Sequence, residues 1–315
     1  MKTFCLPLVL ILSGCGTIQK YGLRSATPVF KKSSDLLTTE RSWQFFADSA
    51  PGNLKLMELI SLQDQDNTDL LGVLIKGYAG YGFAVPETLA FQDELSGKDD
   101  SPHKREAIIA YTKALDYGMT YFEKKGIKPK DILRFDEGKL TQALKEEMDE
   151  EDLVPVLYTA QAWGSLINLQ RDNVALVSQV PKVKAMFDWV CAEKPKIENN
   201  VCDIFYAQYE AARPKMLGGN PEKAEELFLK SIASHPQHHL IRLTYIQYSI
   251  LPAMDLEKYE KEAQILRASF QKFEDLNRDE LEENSEYEKV QHLNLFNAIA
   301  KKRFEIIETN KKKIF

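Results

Sequence analysis

Residues 218–236 read GGNPEKAEELFLKSIASHP. Asn220 stands directly before Pro221, a capping side chain followed by the residue best suited to the first helical position. Small Ala224 is followed four positions later by bulky Phe228, then three later by small Ser231, and Pro236 closes the run. Positions i, i+4 and i+7 share one stripe of a helix. The small residues let a second helix approach closely, and the aromatic ring fills the space between. A helix of this kind does not bury its apolar face alone and needs neighbours.

This is the second-helix pattern of a tetratricopeptide unit, and such units are stable only when stacked. Ala107, Tyr111 and Ala114 repeat the spacing of Ala224, Phe228 and Ser231, while Tyr158, Ala162 and Ser165 roughly fit a first helix. Elsewhere the pattern is eroded. Four degenerate units are recoverable, and the N-terminal fifth of the chain does not fit. Period-two alternation and Asn-Gly hairpin turns are absent from the sequence, and helical periodicity runs almost throughout. Helices are predicted over about 33–48, 52–64, 67–93, 102–125, 128–133, 136–145, 150–170, 173–192, 198–214, 221–235, 239–250, 255–273 and 285–312. Ser101-Pro102 supplies a second cap-and-proline start, and Gly126 and Gly218-Gly219 follow helix ends, where a left-handed residue is wanted. The expected fold is all-α, a superhelix of degenerate tetratricopeptide-like helix pairs.

Composition agrees with a globular chain. Of 315 residues, 44% are apolar and 28% charged, with a net charge of −6 and a pI of about 5.6. A non-specific nucleic-acid binder needs a basic face, so that class is set aside and no nucleic acid is expected as a partner.

The N-terminus carries an address. Lys2 is the only charge before Lys20, and Phe4–Leu12 is an apolar run too short to span a bilayer. It reads as the core of a secretion signal. It ends in Leu12-Ser13-Gly14-Cys15, which resembles the bacterial lipobox, where the cysteine after the cut carries lipid. The alternative is a simple signal with a chance cysteine. The lipobox reading divides the chain into a signal at 1–14, a lipidated tether at 15–34 and a helical domain at 35–315. Palmitate-type acyl chains on Cys15 would hold the protein to a membrane, at about 0.8 kcal/mol per buried CH₂. The domain is then expected outside the cytoplasm, facing the periplasm. Gly16 after Cys15, rather than aspartate, favours the outer membrane. Cys5 leaves with the signal, so Cys191 and Cys202 remain in a compartment that permits a disulfide. They flank the polar turn EKPKIENN, and a bridge there is one reading and two buried thiols the other.

Six stretches in order carry a wider resemblance. They are the lipobox, APGNLKLMELI at 50–60, LLGVLIKGYAGYGFAVPE at 70–87, AIIAYTKALDYG at 107–118, PKMLGGNPEKAEELFLKSI at 214–232 and NLFNAIAKKRFEIIE at 294–308. Together they resemble the T-component (TatT) proteins of tetratricopeptide-associated TRAP transporters. The resemblance implies an exported, membrane-anchored helical scaffold that performs no chemistry, needs no cofactor and binds the periplasmic solute-binding protein of a TRAP transporter. Cys191, Cys202 and the loop between them depart from the family pattern.

Other motifs are weighed on the same terms. KGYAGYG at 76–82 lacks the preceding strand and the spacing of a phosphate loop. Gly77, Gly80 and Gly82 instead make a small helix face, either for close packing or for lining a cavity. Tyr78, Tyr81 and Phe83, with Trp163, are the candidates for lining a ligand path. His235, His238 and His239 lie in a turn beside Pro236 without an HExxH or CxxC partner, and are read as an exposed turn rather than a metal site. The acidic run Glu146–Asp152 lacks the glycine of an EF-hand loop and is read as a solvated junction. No GxSxG elbow or local Cys–His signature is present, and no enzyme is expected. The function classes are a transport scaffold, a lipoprotein adaptor of another envelope complex and a stand-alone ligand-sequestering module. A homo-oligomer is compatible with each.

Overall fold

A computed structural model describes residues 36–278 and 285–315, together with Arg24, Val29, Phe30 and Lys32. Cys15, the signal and most of the tether lie outside the described residues. Among the described residues every regular element is helical, and no helix is long and apolar enough to cross a membrane.

The helices begin where side chains satisfy their orphan amides. Helix α1, Trp43–Ser61, opens on Ser42, whose hydroxyl accepts from the Phe45 amide. It runs through Pro51, so the two helices predicted at 33–48 and 52–64 are largely one. Proline removes a single amide donor, and buried Phe46 and Leu54 hold the helix on either side of it. Helix α2, Thr68–Ala84, and α3, Pro86–Leu95, replace the single helix predicted at 67–93. Val85 stays in the helical region but is distorted to φ −117° and ψ −75°, where Pro86 supplies no amide donor to continue the ladder. Helix α4, Pro102–Lys124, opens on Ser101, and α5, Pro129–Arg134, and α6, Glu137–Glu147, follow it. Helix α7 is Leu153–Leu169. A single turn, Val174–Val177, precedes α8, Val180–Glu193, so the helix predicted at 173–192 is also split.

Helix α9, Ile197–Ala212, is followed by α10, Pro221–Ser234, in which Asn220 accepts from the Lys223 amide. Between them Gly219 is required: a Cβ there would lie 1.8 Å from the Arg213 carbonyl oxygen. Helix α11, His239–Tyr245, continues through a π turn, Ile246–Ile250, to Ala253. Helix α12, Leu256–Arg278, and α13, Ser285–Val290, lead to α14, Asn294–Ile314. A 3₁₀ turn at Gln291–Leu293 breaks the helix predicted over 285–312.

Two hydrophobic cores result. The first is built around α2, α4, α7 and α8 and includes Leu74, Tyr111, Leu157 and Met186. Ala107, Tyr111 and Ala114 are fully buried in it, with Gly118 one turn further along the same stripe. The second joins α10, α11, α12 and α14 around Phe228, Ile241, Tyr259 and Ile307. Ala224 and Phe228 are fully buried and Ser231 nearly so; α9 is the neighbour against which α10 chiefly packs. Tyr81 and Phe83 pack against both cores, which places the end of α2 at the seam of the molecule.

Candidate functional site

A cavity of about 580 Å³ lies along that seam. Helix α2 presents Gly77, Gly80 and Tyr81 to it, and α7 presents Gln161, Gly164 and Asn168. Both sets recur at three- and four-residue intervals, the spacing of one helix face. Gly80 leaves open space, since a Cβ there would have nothing within 4 Å, whereas Gly77 and Gly164 serve close packing: a Cβ would lie 2.6 Å from Leu54 and 3.3 Å from Val183 respectively. Val183 and Phe187 from α8, Val201 and Phe205 from α9, Leu240 from α11 and Phe296 from α14 complete a largely hydrocarbon wall. Phe187 and Phe205 stack with ring centroids 3.6 Å apart.

Charged groups reach the wall in matched sets. Lys76 pairs with Glu198 at 3.1 Å, and the Tyr158 hydroxyl donates to the same carboxylate at 2.7 Å. Glu87 accepts from the Tyr111 hydroxyl and lies 3.3 Å from Arg303. Arg303, only 4% exposed, also donates to the Phe83 carbonyl at 2.7 Å and to the Thr88 hydroxyl at 2.8 Å. These bonds satisfy carbonyls and carboxylates that burial would otherwise leave costly. Burial, then the charge of Glu87, drives the Tyr111 phenol well above its usual pKa.

The α8–α9 corner is unusual. Glu198, Asn199 and Asn200 have φ of 45°, 58° and 66°. Asparagine tolerates the left-handed region, but glutamate there is strained by about 1 kcal/mol or more. Two restraints hold it: the Lys76 and Tyr158 contacts to Glu198, and a disulfide joining Cys191 to Cys202 with Cα atoms 5.9 Å apart. The corner thereby fixes Glu198 and Val201 as part of the cavity wall.

Of the four aromatics picked from sequence, Tyr81 and Phe83 line the cavity and Tyr78 and Trp163 do not. Tyr78 lies on the far side of α2 from Gly80, where it stacks on Tyr117 with centroids 6.0 Å apart and accepts from Lys113. Trp163 is 2% exposed and points into the first core, opposite the Gln161–Gly164–Asn168 face of α7. Lys76, Glu198, Glu87, Arg303 and Tyr248 also belong to the site or its supports. They come from five separate elements, and nothing local marks them.

The histidines correct the exposed-turn reading. His238 and His239 are 3% and 8% exposed, because Phe296 and Phe270 lie against their rings and Asn297 accepts the His239 amide. Burial lowers His238 to about 3 and His239 to about 4, so both are neutral near pH 7. Among the described residues no group of three or more His, Cys, Asp or Glu side chains is placed to hold a metal ion. The acidic run is a solvated junction at Glu146, Glu147, Asp149, Glu150 and Glu151, all exposed, and Asp152 is the exception. Asp152 is fully buried and accepts from the Tyr121 hydroxyl, from Lys125 at 2.7 Å and from the Asp149 amide at 2.8 Å. Its bond to the Asp149 amide closes a capping box on the 3₁₀ turn Glu150–Asp152 that leads into α7.

The arrangement suits holding an apolar body in a preformed hole. A family model described as "TRAP transporter T-component" matches residues 40–315. No protein of curated function matches the chain.

Proposed function

This chain belongs to the TRAP transporter T-component family, and we propose that it serves TRAP transport as a non-enzymatic periplasmic scaffold that binds the solute-binding component and passes a small organic or apolar ligand. The observation that supports passage is the 580 Å³ cavity between the two cores, with Gly80 on α2 leaving open space at its wall. A stacked helical scaffold also offers an extended surface to a protein partner. Lipid on Cys15, read from the lipobox, fixes the scaffold to a membrane, the outer one on the evidence of Gly16, and the tether lets it meet a diffusing partner. A specific complex of this kind buries at least about 1,000 Å².

Purified mature protein should co-elute in gel filtration with a TRAP solute-binding protein from the same cell and sediment with it as one species. No association at tens of micromolar, with and without ligand, favours the adaptor or sequestering reading instead. Cys15→Ala should abolish labelling by radioactive palmitate and release the protein from membranes. Continued labelling and processing of that variant sinks the anchor.

A further inference from the structure

The polar groups of the cavity wall fall into two kinds. The carboxylates are matched inside the protein, Glu198 by Lys76 and Tyr158, and Glu87 by Arg303 and Tyr111. Arg213 is matched too, by Glu210 at 3.3 Å and by stacking on Tyr209. The groups left without a side-chain hydrogen bond to the described residues are neutral: the Tyr248 hydroxyl, the amides of Gln208 and Gln161, and the buried Nδ1 of His238.

Tyr248 owes its position to the π turn. Leu240, Thr244 and Tyr248 all line the cavity, at successive four-residue steps. In an α-helix such steps drift around the axis; the wider turn at Ile246–Ile250 brings Tyr248 back over the same face. The π turn packs on α9, which carries Gln208. Burial, then the charge of Glu87, raises the Tyr248 phenol to about 12, so it stays a neutral donor at any working pH.

A charge entering this space would lose its hydration and meet only ions that already have partners, which is strongly unfavourable. A neutral hydroxyl or amide would exchange water for Tyr248 and Gln208 at little loss. Arg171 is the remaining cation at the cavity. It is exposed at the end of α7, with its guanidinium on the Asn168 side chain at 2.6 and 3.0 Å, and solvent and salt screen its charge.

We propose that the cavity selects an uncharged amphiphile, with a hydrocarbon body against Phe187, Phe205 and Phe296 and one neutral hydroxyl or amide head bonded by Tyr248 and Gln208. This selectivity rests on the cavity being the ligand site, as proposed above.

The test uses the purified mature protein and N-phenyl-1-naphthylamine, an uncharged fluorophore that brightens in apolar surroundings. Three competitors with one ten-carbon chain are compared at pH 8: decan-1-ol, decanoate and decylammonium. Decanol should displace the probe at a concentration at least about tenfold below either ion. Because decanol is also the most apolar of the three, the variants decide the matter. Tyr248→Phe and Gln208→Leu should each weaken decanol about five- to tenfold, the equivalent of one hydrogen bond, and leave probe affinity unchanged. Decanoate competing as well as decanol, with that ability lost in Arg171→Gln, would overturn the proposal in favour of an anion site at the rim. Unchanged decanol affinity in both folded variants would overturn it as well. Failure of the probe to bind, or binding that survives Gly80→Trp in a folded variant, removes the cavity as a ligand site and the selectivity with it.

Discussion

Two glycine-to-alanine changes should move stability in opposite directions. In a helix interior, alanine is favoured over glycine by about 1 kcal/mol, because less backbone freedom is lost on folding. Gly80, inside α2, faces the cavity, and a Cβ there meets nothing within 4 Å. Gly80→Ala should therefore gain about 1 kcal/mol. Gly118, inside α4, faces α7: a Cβ would lie 2.3 Å from Thr159 Oγ1, 2.5 Å from Cγ2 and 2.9 Å from Cβ. Thr159 has little freedom to yield. It is 1% exposed, β-branched, and its hydroxyl donates to the Pro155 carbonyl at 2.7 Å. Rotating it breaks a buried hydrogen bond, about 1 kcal/mol, and shifting the helices overpacks the core, about 1–3 kcal/mol. After subtracting the helix-propensity gain, Gly118→Ala should destabilise the protein by about 1–3 kcal/mol. At roughly 2–4 °C per kcal/mol for a domain of this size, the two variants should melt on opposite sides of the wild type. Circular dichroism melts and urea titrations measure both. Thr159→Ala added to Gly118→Ala should recover at least about 0.5 kcal/mol relative to additivity. A Gly118→Ala protein as stable as the Gly80→Ala protein would refute the α4–α7 register.

The buried histidines predict an acid limb. Both have folded pKa values below the ordinary 6.5, at about 3 for His238 and about 4 for His239. The unfolded chain therefore takes up protons first as the pH falls. Their contribution is complete above pH 6.5 and declines on the way down to about pH 4 for His239 and about pH 3 for His238, by up to about 1.4 kcal/mol per pH unit for each. Urea unfolding at stepped pH should show this decline, flattened in His238→Phe; an identical slope in that variant contradicts its burial as a neutral group. The Cys191–Cys202 bridge closes a short loop, 11 residues in sequence separation, so Cys202→Ser should lower stability by roughly 3 kcal/mol on the chain-entropy account. Free thiols at both positions in non-reduced native protein, detected by alkylation, would remove the bridge.

The sequence by itself determined what depends on near neighbours in the chain. Asn220-Pro221 and Ser101-Pro102 start α10 and α4 because a side-chain acceptor and a preset φ act within one turn. The stripes Ala107–Tyr111–Ala114 and Ala224–Phe228–Ser231 mark buried faces because side-chain position around a single helix follows from spacing alone. Helix breaks at Val85 and before Pro181 were missed, although prolines stood there, because the apolar periodicity continues across them and conceals the local stop.

Only the tertiary structure decided what those faces meet. Tyr81 and Tyr78 differ by three positions on α2, yet one lines the cavity and the other stacks on Tyr117, a choice made by where α1 and α4 pack. His238 and His239 look like a polar turn until Phe296 and Phe270, distant in sequence, cover them. Glu87 and Arg303 stand 216 positions apart, and neither carries a local sign of the other. The cavity is a space between two cores, so it belongs to no segment. Its size and polarity arise from long-range packing, which one-helix periodicity does not encode.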